Sequence, residues 1–127
     1  MKTFIIFLMI GIVFNLTVVD KAGSSYLIYK GMASWYSEED PGILETTANM
    51  EIFDDTELAC AIWGLPFNTL LKVTNLKNNQ YVTVRVNDRG PARRLVRQGR
   101  VIDLTKTAFQ EIADLEQGLA SVSVEIL

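Results

Sequence analysis

The sequence predicts a mainly β fold, a compact barrel of short strands with one small helix. Three observations carry that expectation. Short runs of alternating or β-branched residues recur between turn signals. Only residues 106–115 show the apolar spacing of a helix. The chain has no internal repeat, and its 127 residues suffice for one domain with a core but not for two.

The elements follow in order. Met1-Lys2-Thr3 is a short basic lead, residues 4–13 are apolar except for Gly11, and further apolar residues reach Val19. Residues 1–24 therefore read as an export signal, cleaved at Ala22-Gly23-Ser24 or kept as an anchor, and residues 25–127 as the folded domain. That domain is expected outside the cytoplasmic membrane, in the periplasm or cell envelope, with no membrane contact beyond the signal. No cysteine near the signal offers a lipid acceptor. Residues 26–36 are rich in strand formers and end in Trp35 and Tyr36, which suit either a sugar-stacking platform or a core edge.

Residues 37–56 lack a clear period, and a long loop of that kind in a small domain is commonly functional or mobile. Within it Glu51 stands between Met50 and Ile52-Phe53. Apolar neighbours would desolvate its carboxylate and raise its pKa; a solvated loop glutamate is the alternative. Residues 58–63 read as a short helical or extended core segment holding Cys60, expected as a buried, inert thiol. Residues 70–76 and 81–87 form a hairpin across Lys77-Asn78-Asn79-Gln80. On its second strand Val82, Val84 and Val86 share the core face, while Thr83, Arg85 and Asn87 point away. Gly90-Pro91 breaks the strand and leaves Asp88 and Arg89 at its mouth, as a capped turn or as a pair that a ligand can reach. A basic loop over 92–99 leads to a short strand over 101–104. Thr105 reads as the N-cap of a helix over 106–115 with Ala108, Ile112 and Leu115 on its apolar face. Gly118 ends that helix, and residues 120–127 alternate as a closing strand.

Composition prunes the chemistry. The chain has no histidine, which excludes Ser-His-Asp and Cys-His catalysis and any imidazole base. With one cysteine and no histidine a zinc site lacks the Cys and His ligand set it would need, and an internal disulfide has no partner. Carboxylates are left as the general acids near neutral pH. The net charge of −3 hides an asymmetry. Every charge between Ser34 and Trp63 is acidic: Glu38, Glu39, Asp40, Glu45, Glu51, Asp54, Asp55 and Glu57. Basic residues dominate from Lys72 to Lys106, with Arg89, Arg93, Arg94, Arg97 and Arg100 close together. Export and net negative charge argue against nucleic acid as the partner of those arginines. A protein partner or an anionic wall polymer remains open for them.

Five motifs then fall in order: Gly31-Met32-Ala33-Ser34-Trp35-Tyr36; Thr47-Ala48-Asn49-Met50-Glu51; Leu65-Pro66-Phe67-Asn68-Thr69 with Val73-Thr74-Asn75-Leu76; Val86-Asn87-Asp88-Arg89-Gly90-Pro91; and Ile102-Asp103-Leu104-Thr105. From about Lys30 to the C-terminus the chain resembles the rare lipoprotein A (RlpA) family of septal-ring lytic transglycosylases. The resemblance implies a six-stranded double-psi β-barrel with one or two short helices, the fold of expansin catalytic domains. It also implies cleavage of peptidoglycan glycan strands stripped of stem peptides, leaving 1,6-anhydro ends. A monomer without cofactor or metal is expected. By resemblance Glu51 is the acid/base and Asp88 the supporting carboxylate. Asp103 matches an essential aspartate of the related expansins and is a third candidate. Ser34, Trp35, Tyr36, Thr47, Asn49, Asn87 and Arg89 would bind the sugar, with Arg89 orienting Asp88. Three departures stand out: Ile62 replaces the histidine expected four residues before Pro66, Met50 replaces a glycine, and Ser37 replaces the glycine after the aromatic pair. A non-catalytic, expansin-like glycan-binding module is the alternative reading.

Overall fold

The computed structural model describes residues 3–6, 15–21 and 24–127, with side chains from residue 29 onward. The strands are β1 (Thr3–Ile6), β2 (Asn15–Lys21), β3 (Ser24–Tyr36), β4 (Ala59–Ala61), β5 (Leu70–Asn75), β6 (Tyr81–Asp88), β7 (Arg100–Thr105) and β8 (Ala120–Ile126). Helix α1 (Arg93–Val96) precedes β7, α2 (Lys106–Gln110) follows it, and a 3-10 turn covers Leu115–Gln117. The apolar segment 7–14 of the expected export signal, and Ala22 and Gly23 of its cleavage site, lie outside the described residues. Among the described residues no helix is long and apolar enough to cross a membrane.

The strands lie in the order β1-β2-β3-β7-β4-β6-β5-β8, and β3 also pairs with β8. That last pairing closes β3 to β8 into a six-stranded barrel, while β1 and β2 extend from β3 as an antiparallel arm. Two of the barrel's pairings are parallel, β3 with β7 and β4 with β6; the rest are antiparallel. Closure leaves no free edge in the barrel. Its interior is filled by the inward residues of the alternating strands, among them Leu71, Val73, Val84, Val86, Ile102, Leu104, Val122 and Val124, with Phe109 of α2 packed among them. Cys60 is buried in the same core as a free thiol, and burial pushes its pKa up.

Gly31 lies where β3 meets β7. A Cβ there would stand 2.4 Å from Val101 Cγ1 and 2.8 Å from the Gly99 carbonyl, so the crossing requires glycine.

Two expected elements differ. The basic loop over 92–99 contains the single turn α1, pinned by the buried Val96. The helix expected over 106–115 stops at Gln110. Thr105 caps it as expected, accepting from the Ala108 amide. The Ile112 carbonyl, however, accepts Nδ2 of Asn75 at 2.8 Å and of Asn78 at 3.0 Å. Those side chains take an acceptor that a continuing helix would use, and the chain turns instead. Ile112 is buried nonetheless, and Leu115 packs on the core from the 3-10 turn. Residues 58–63, open between helix and strand, hold the short strand β4.

Candidate functional site

The site is built around the C-terminal end of β6. Regular alternation would send Asp88 after Val82, Val84 and Val86 into the core. A bulge prevents that. Opposite β4, Cys60 pairs with Val86 and Ala61 with Asp88, so Asn87 is the extra residue. Bulges of this kind re-aim side chains. Here Asn87 is only 3 % exposed, although alternation had placed it on the outward face, and Asp88 emerges half-buried at the strand's mouth.

Asp88 is held by two backbone amides, Ala48 and Arg89, each 2.9 Å from Oδ1. Its Oδ2 accepts the Tyr36 hydroxyl at 3.5 Å. The Arg89 guanidinium does not orient this carboxylate, contrary to expectation. It lies over the Phe67 ring at 3.9 Å and donates to the Ile62 carbonyl at 3.1 Å. The backbone N–H of Arg89 supplies the contact instead.

Glu51 sits in a tight turn whose ends pair at Thr46 and Ile52. Buried Thr47 ties the turn together: its amide donates to the Glu51 carbonyl at 2.8 Å and its hydroxyl accepts the Glu51 amide at 3.2 Å. Met50 occupies the left-handed region at φ 72°, which explains why glycine suits that place. The expected apolar surroundings of Glu51 do not exist, because Met50 is 80 % and Ile52 83 % exposed. Instead Arg85 grips the carboxylate as a fork, Nη1 to Oε2 and Nη2 to Oε1, both at 2.8 Å. Asn49 Nδ2 adds a 2.7 Å bond and Asn87 Nδ2 a longer one at 3.5 Å. With Arg85 as the largest influence, the carboxyl is held down at about 2, opposite to the rise expected from desolvation. Arg85 also reaches Glu57 at 3.3 Å and Asn68 at 3.0 Å.

Asp103 is the carboxylate with the opposite environment. It lies on β7 beside Ser34 of β3 and Ala61 of β4. Burial pushes its pKa up, and the Asp88 charge adds to the rise, while the Ser34 hydroxyl and Arg100 oppose it. Buried Ser34 donates through Oγ to Oδ1 of Asp103. Gly90 leaves room for the other oxygen, because a Cβ there would come within 3.3 Å of Oδ2.

The expected residues therefore gather in two linked groups. Thr47, Asn49, Glu51 and Asn87 form one, and Ser34, Tyr36, Asp88 and Asp103 the other; the Ala48 amide joins them. Trp35 joins neither. Its indole N–H donates to the Leu115 carbonyl at 3.1 Å, and the ring packs on the main core. Tyr36 stacks on Phe53 at 4.8 Å with the rings 1° from parallel, in a small second cluster with Ala61. Both aromatics pack as core edges.

Arg85 was missed as a site residue. Its signal was present, because alternation placed it beside Asn87 on the outward face, but nothing local in the sequence shows which loop covers that face.

Two further features lie nearby. A cavity of about 380 Å³ opens beside the loop and is lined by Glu38, Ile43, Leu44, Glu45, Thr46, Ile52 and Phe53, with none of the three carboxylates in its wall. Glu38, Asp54 and Asp55 bring carboxylate oxygens within 4.8 Å of one another, but two of them already serve the loop. Asp54 caps Thr56, and Asp55 accepts the Glu38 amide.

Residues 28–124 match the family described as lytic transglycolase. The chain is 45 % identical over 97 residues to the endolytic peptidoglycan transglycosylase RlpA of Campylobacter jejuni, covering 76 % of this chain and 33 % of that one. It is 43 % identical over 108 residues to a probable endolytic peptidoglycan transglycosylase RlpA of Synechocystis, covering 85 % and 32 %. The chain thus spans about a third of the length of these curated relatives. Among solved structures, the Streptomyces papain inhibitor superposes with a TM-score of 0.61 at 20 % identity, over 79 % of this chain and 94 % of that one. The Clavibacter michiganensis expansin gives 0.59 at 20 % identity, over 79 % and 50 %. At that identity the likeness is one of fold, the double-psi β-barrel.

Proposed function

Because the chain belongs to the lytic transglycolase family, we propose that it cleaves peptidoglycan glycan strands, favouring those stripped of stem peptides and leaving 1,6-anhydro ends. The observation that carries this reading is the gathering of Glu51, Asp88 and Asp103 around the end of β6, with Glu51 held ionised in the Arg85 fork and Asp103 buried beside Ser34, where the neutral form is favoured. Environments that split carboxylates in this way assign acid and anion roles. A lytic transglycosylase uses the sugar's own C6 hydroxyl as nucleophile, so no water needs to be positioned. One carboxylic acid protonates the leaving glycosidic oxygen and then takes the hydroxyl proton, while an anion stabilises the oxocarbenium-like transition state.

The resemblance gives the donor role to Glu51. The Arg85 fork keeps Glu51 ionised in the free protein, so it serves there as the anion, and a donor role requires glycan to displace Arg85. Asp103 is the carboxyl whose burial favours the protonated form, with Ser34 on Oδ1 and Oδ2 left to carry the proton. We assign the proton to Asp103, the stabilising charge to Glu51, and the place between them to Asp88. In this reading the chain acts as a monomer in the periplasm or cell envelope.

The test is a digest of peptide-free glycan strands with the purified chain, with anhydro-ended fragments detected by mass spectrometry. Glu51→Gln and Asp103→Asn should each lower the yield by about 10²-fold or more. No product from wild type sinks the proposal, and undiminished product from either variant removes that residue.

Ile62 favours a second reading, a glycan-binding module without cleavage. The resemblance expects a histidine at this position, and Ile62 is 3 % exposed with its side chain in the barrel core. Sedimentation with insoluble peptidoglycan, without bond cleavage, would select that reading. Ile62→His is a companion variant, and its melting must be followed because the imidazole enters an apolar core.

A further inference from the structure

We propose that the arginine-rich lobe between β6 and β7 is a carboxylate-reading subsite, in which Arg93, Arg94 and Arg97 take the free lactyl carboxylates of peptide-free muramyl residues. This rests on the peptidoglycan reading above and adds to it the chemical group that is recognised.

No acidic residue stands between Asp88 and Asp103, whereas five arginines do. Arg93, Arg94 and Arg97 are exposed. Among the described residues the ion pairs involve Arg85, and none involves an arginine of this lobe. Their charge is therefore unspent. The lobe is also a built surface. The Arg93 guanidinium lies over the Trp63 ring at 4.3 Å, and the indole N–H donates to the Pro91 carbonyl at 2.7 Å. Buried Val96 pins the turn from below, and the Gly99 carbonyl accepts the Met32 amide at 2.9 Å. Stacking orders a guanidinium without neutralising it, which leaves its N–H groups for a planar anion.

Position links the lobe to the carboxylate site. It leaves the barrel at Asp88 and returns at Arg100, whose charge acts on Asp103. A glycan strand held at Asp88 and Asp103 is therefore bound on the two strands from which this lobe springs. An anionic strand is drawn to the positive charge of the lobe.

The chemistry of the strand supplies the rest. A stem peptide consumes the lactyl carboxylate of muramic acid in an amide, so that anion is free only where the peptide has been removed. Arginines that read it discriminate peptide-free from peptide-bearing strands without contacting any peptide.

The experiment measures binding of fluorescent peptide-free glycan strands by polarisation. One strand sample keeps its lactyl carboxylates and a second has them converted to methylamides. Wild type should bind the free-acid strands at least tenfold tighter, with the difference shrinking as salt rises. Arg93→Ala/Arg94→Ala/Arg97→Ala should bind both samples alike at the weaker level. Equal wild-type binding to the two samples overturns the proposal without relying on a variant. A preference kept by the triple variant also overturns it. So does competition by duplex DNA at matched charge as effective as that by free-acid strands, which would mark a general polyanion surface. Absence of anhydro products with the carboxylate preference intact would sink the cleavage reading alone; cleavage without the preference would sink this one alone.

Discussion

Arg85 and Glu51 show how one side chain can decide the charge of a carboxylate. A fork-shaped guanidinium matching both oxygens favours the ionised form far more than a single lysine contact would. Arg85→Ala should therefore let the Glu51 pKa rise from about 2 toward its ordinary value of 4.5, read by a carbon-13 titration of the side-chain carboxyl. An unmoved titration would show that Asn49 and Asn87 alone hold it down. Because the folded value is depressed, the pair stabilises the protein fully above pH 4.5 and loses that contribution as pH falls toward 2. Both side chains are about a third exposed, 30 % for Arg85 and 37 % for Glu51, so water screens the pair to at most about 1 kcal/mol. Met50 lies one residue away. Its φ of 72° strains any side chain, and its own side chain is almost wholly exposed, so little packing is at stake. Met50→Gly should raise stability by roughly 0.5–1 kcal/mol, read by chemical denaturation; a less stable variant would refute the strain.

Individual elements were legible in the sequence wherever their cause was local. The β5–β6 hairpin follows from a short polar link between alternating runs, and the capping by Thr105 follows from one hydroxyl three residues before the amide it accepts. The length of α2 was not legible, because its end is decided by Asn75 and Asn78, which approach the Ile112 carbonyl from another part of the chain. Asn75 is buried, and its Oδ1 also accepts the Lys77 amide at 2.9 Å. Asn75→Ala should leave the Lys77 amide without its partner and the Ile112 carbonyl with Asn78 alone, and cost about 1–3 kcal/mol, read as a fall in melting temperature. A negligible loss would mean that Asn78 holds the turn unaided. The bulge at Asn87 escaped period-two reading for a similar reason. It exists only as a mismatch of register with β4, which follows the site loop in the chain. The position of Asp88 at the strand's mouth is the same in either account.

At the scale of the whole molecule the site depends on closure. Except for the hairpin, every barrel pairing joins strands that are not consecutive in the chain, and no periodicity encodes such partners. Motifs in register carried the topology instead. β7 lies between β3 and β4, so Asp103 is enclosed by Ser34 on one side and Ala61 on the other. The barrel thus places a carboxyl where its charge is unwelcome, which gives a test with a definite sign. Burial raises the folded pKa above the ordinary 3.8, so the folded chain holds this proton more tightly than the unfolded chain does. The stabilisation is complete below pH 3.8 and is lost as pH rises through the folded value. Above that value the folded protein carries a desolvated anion beside Asp88. Asp103→Asn removes that charge and keeps an oxygen for the Ser34 hydroxyl. The variant should melt above wild type at pH 7, and the gap should close as pH is lowered toward 3.8, while the yield of anhydro product collapses. A variant that melts below wild type by the same margin at every pH would mean that Asp103 is a structural anchor whose ionisation does not matter. Stability gained together with activity lost is the pattern expected of a group placed for chemistry against the preference of the fold.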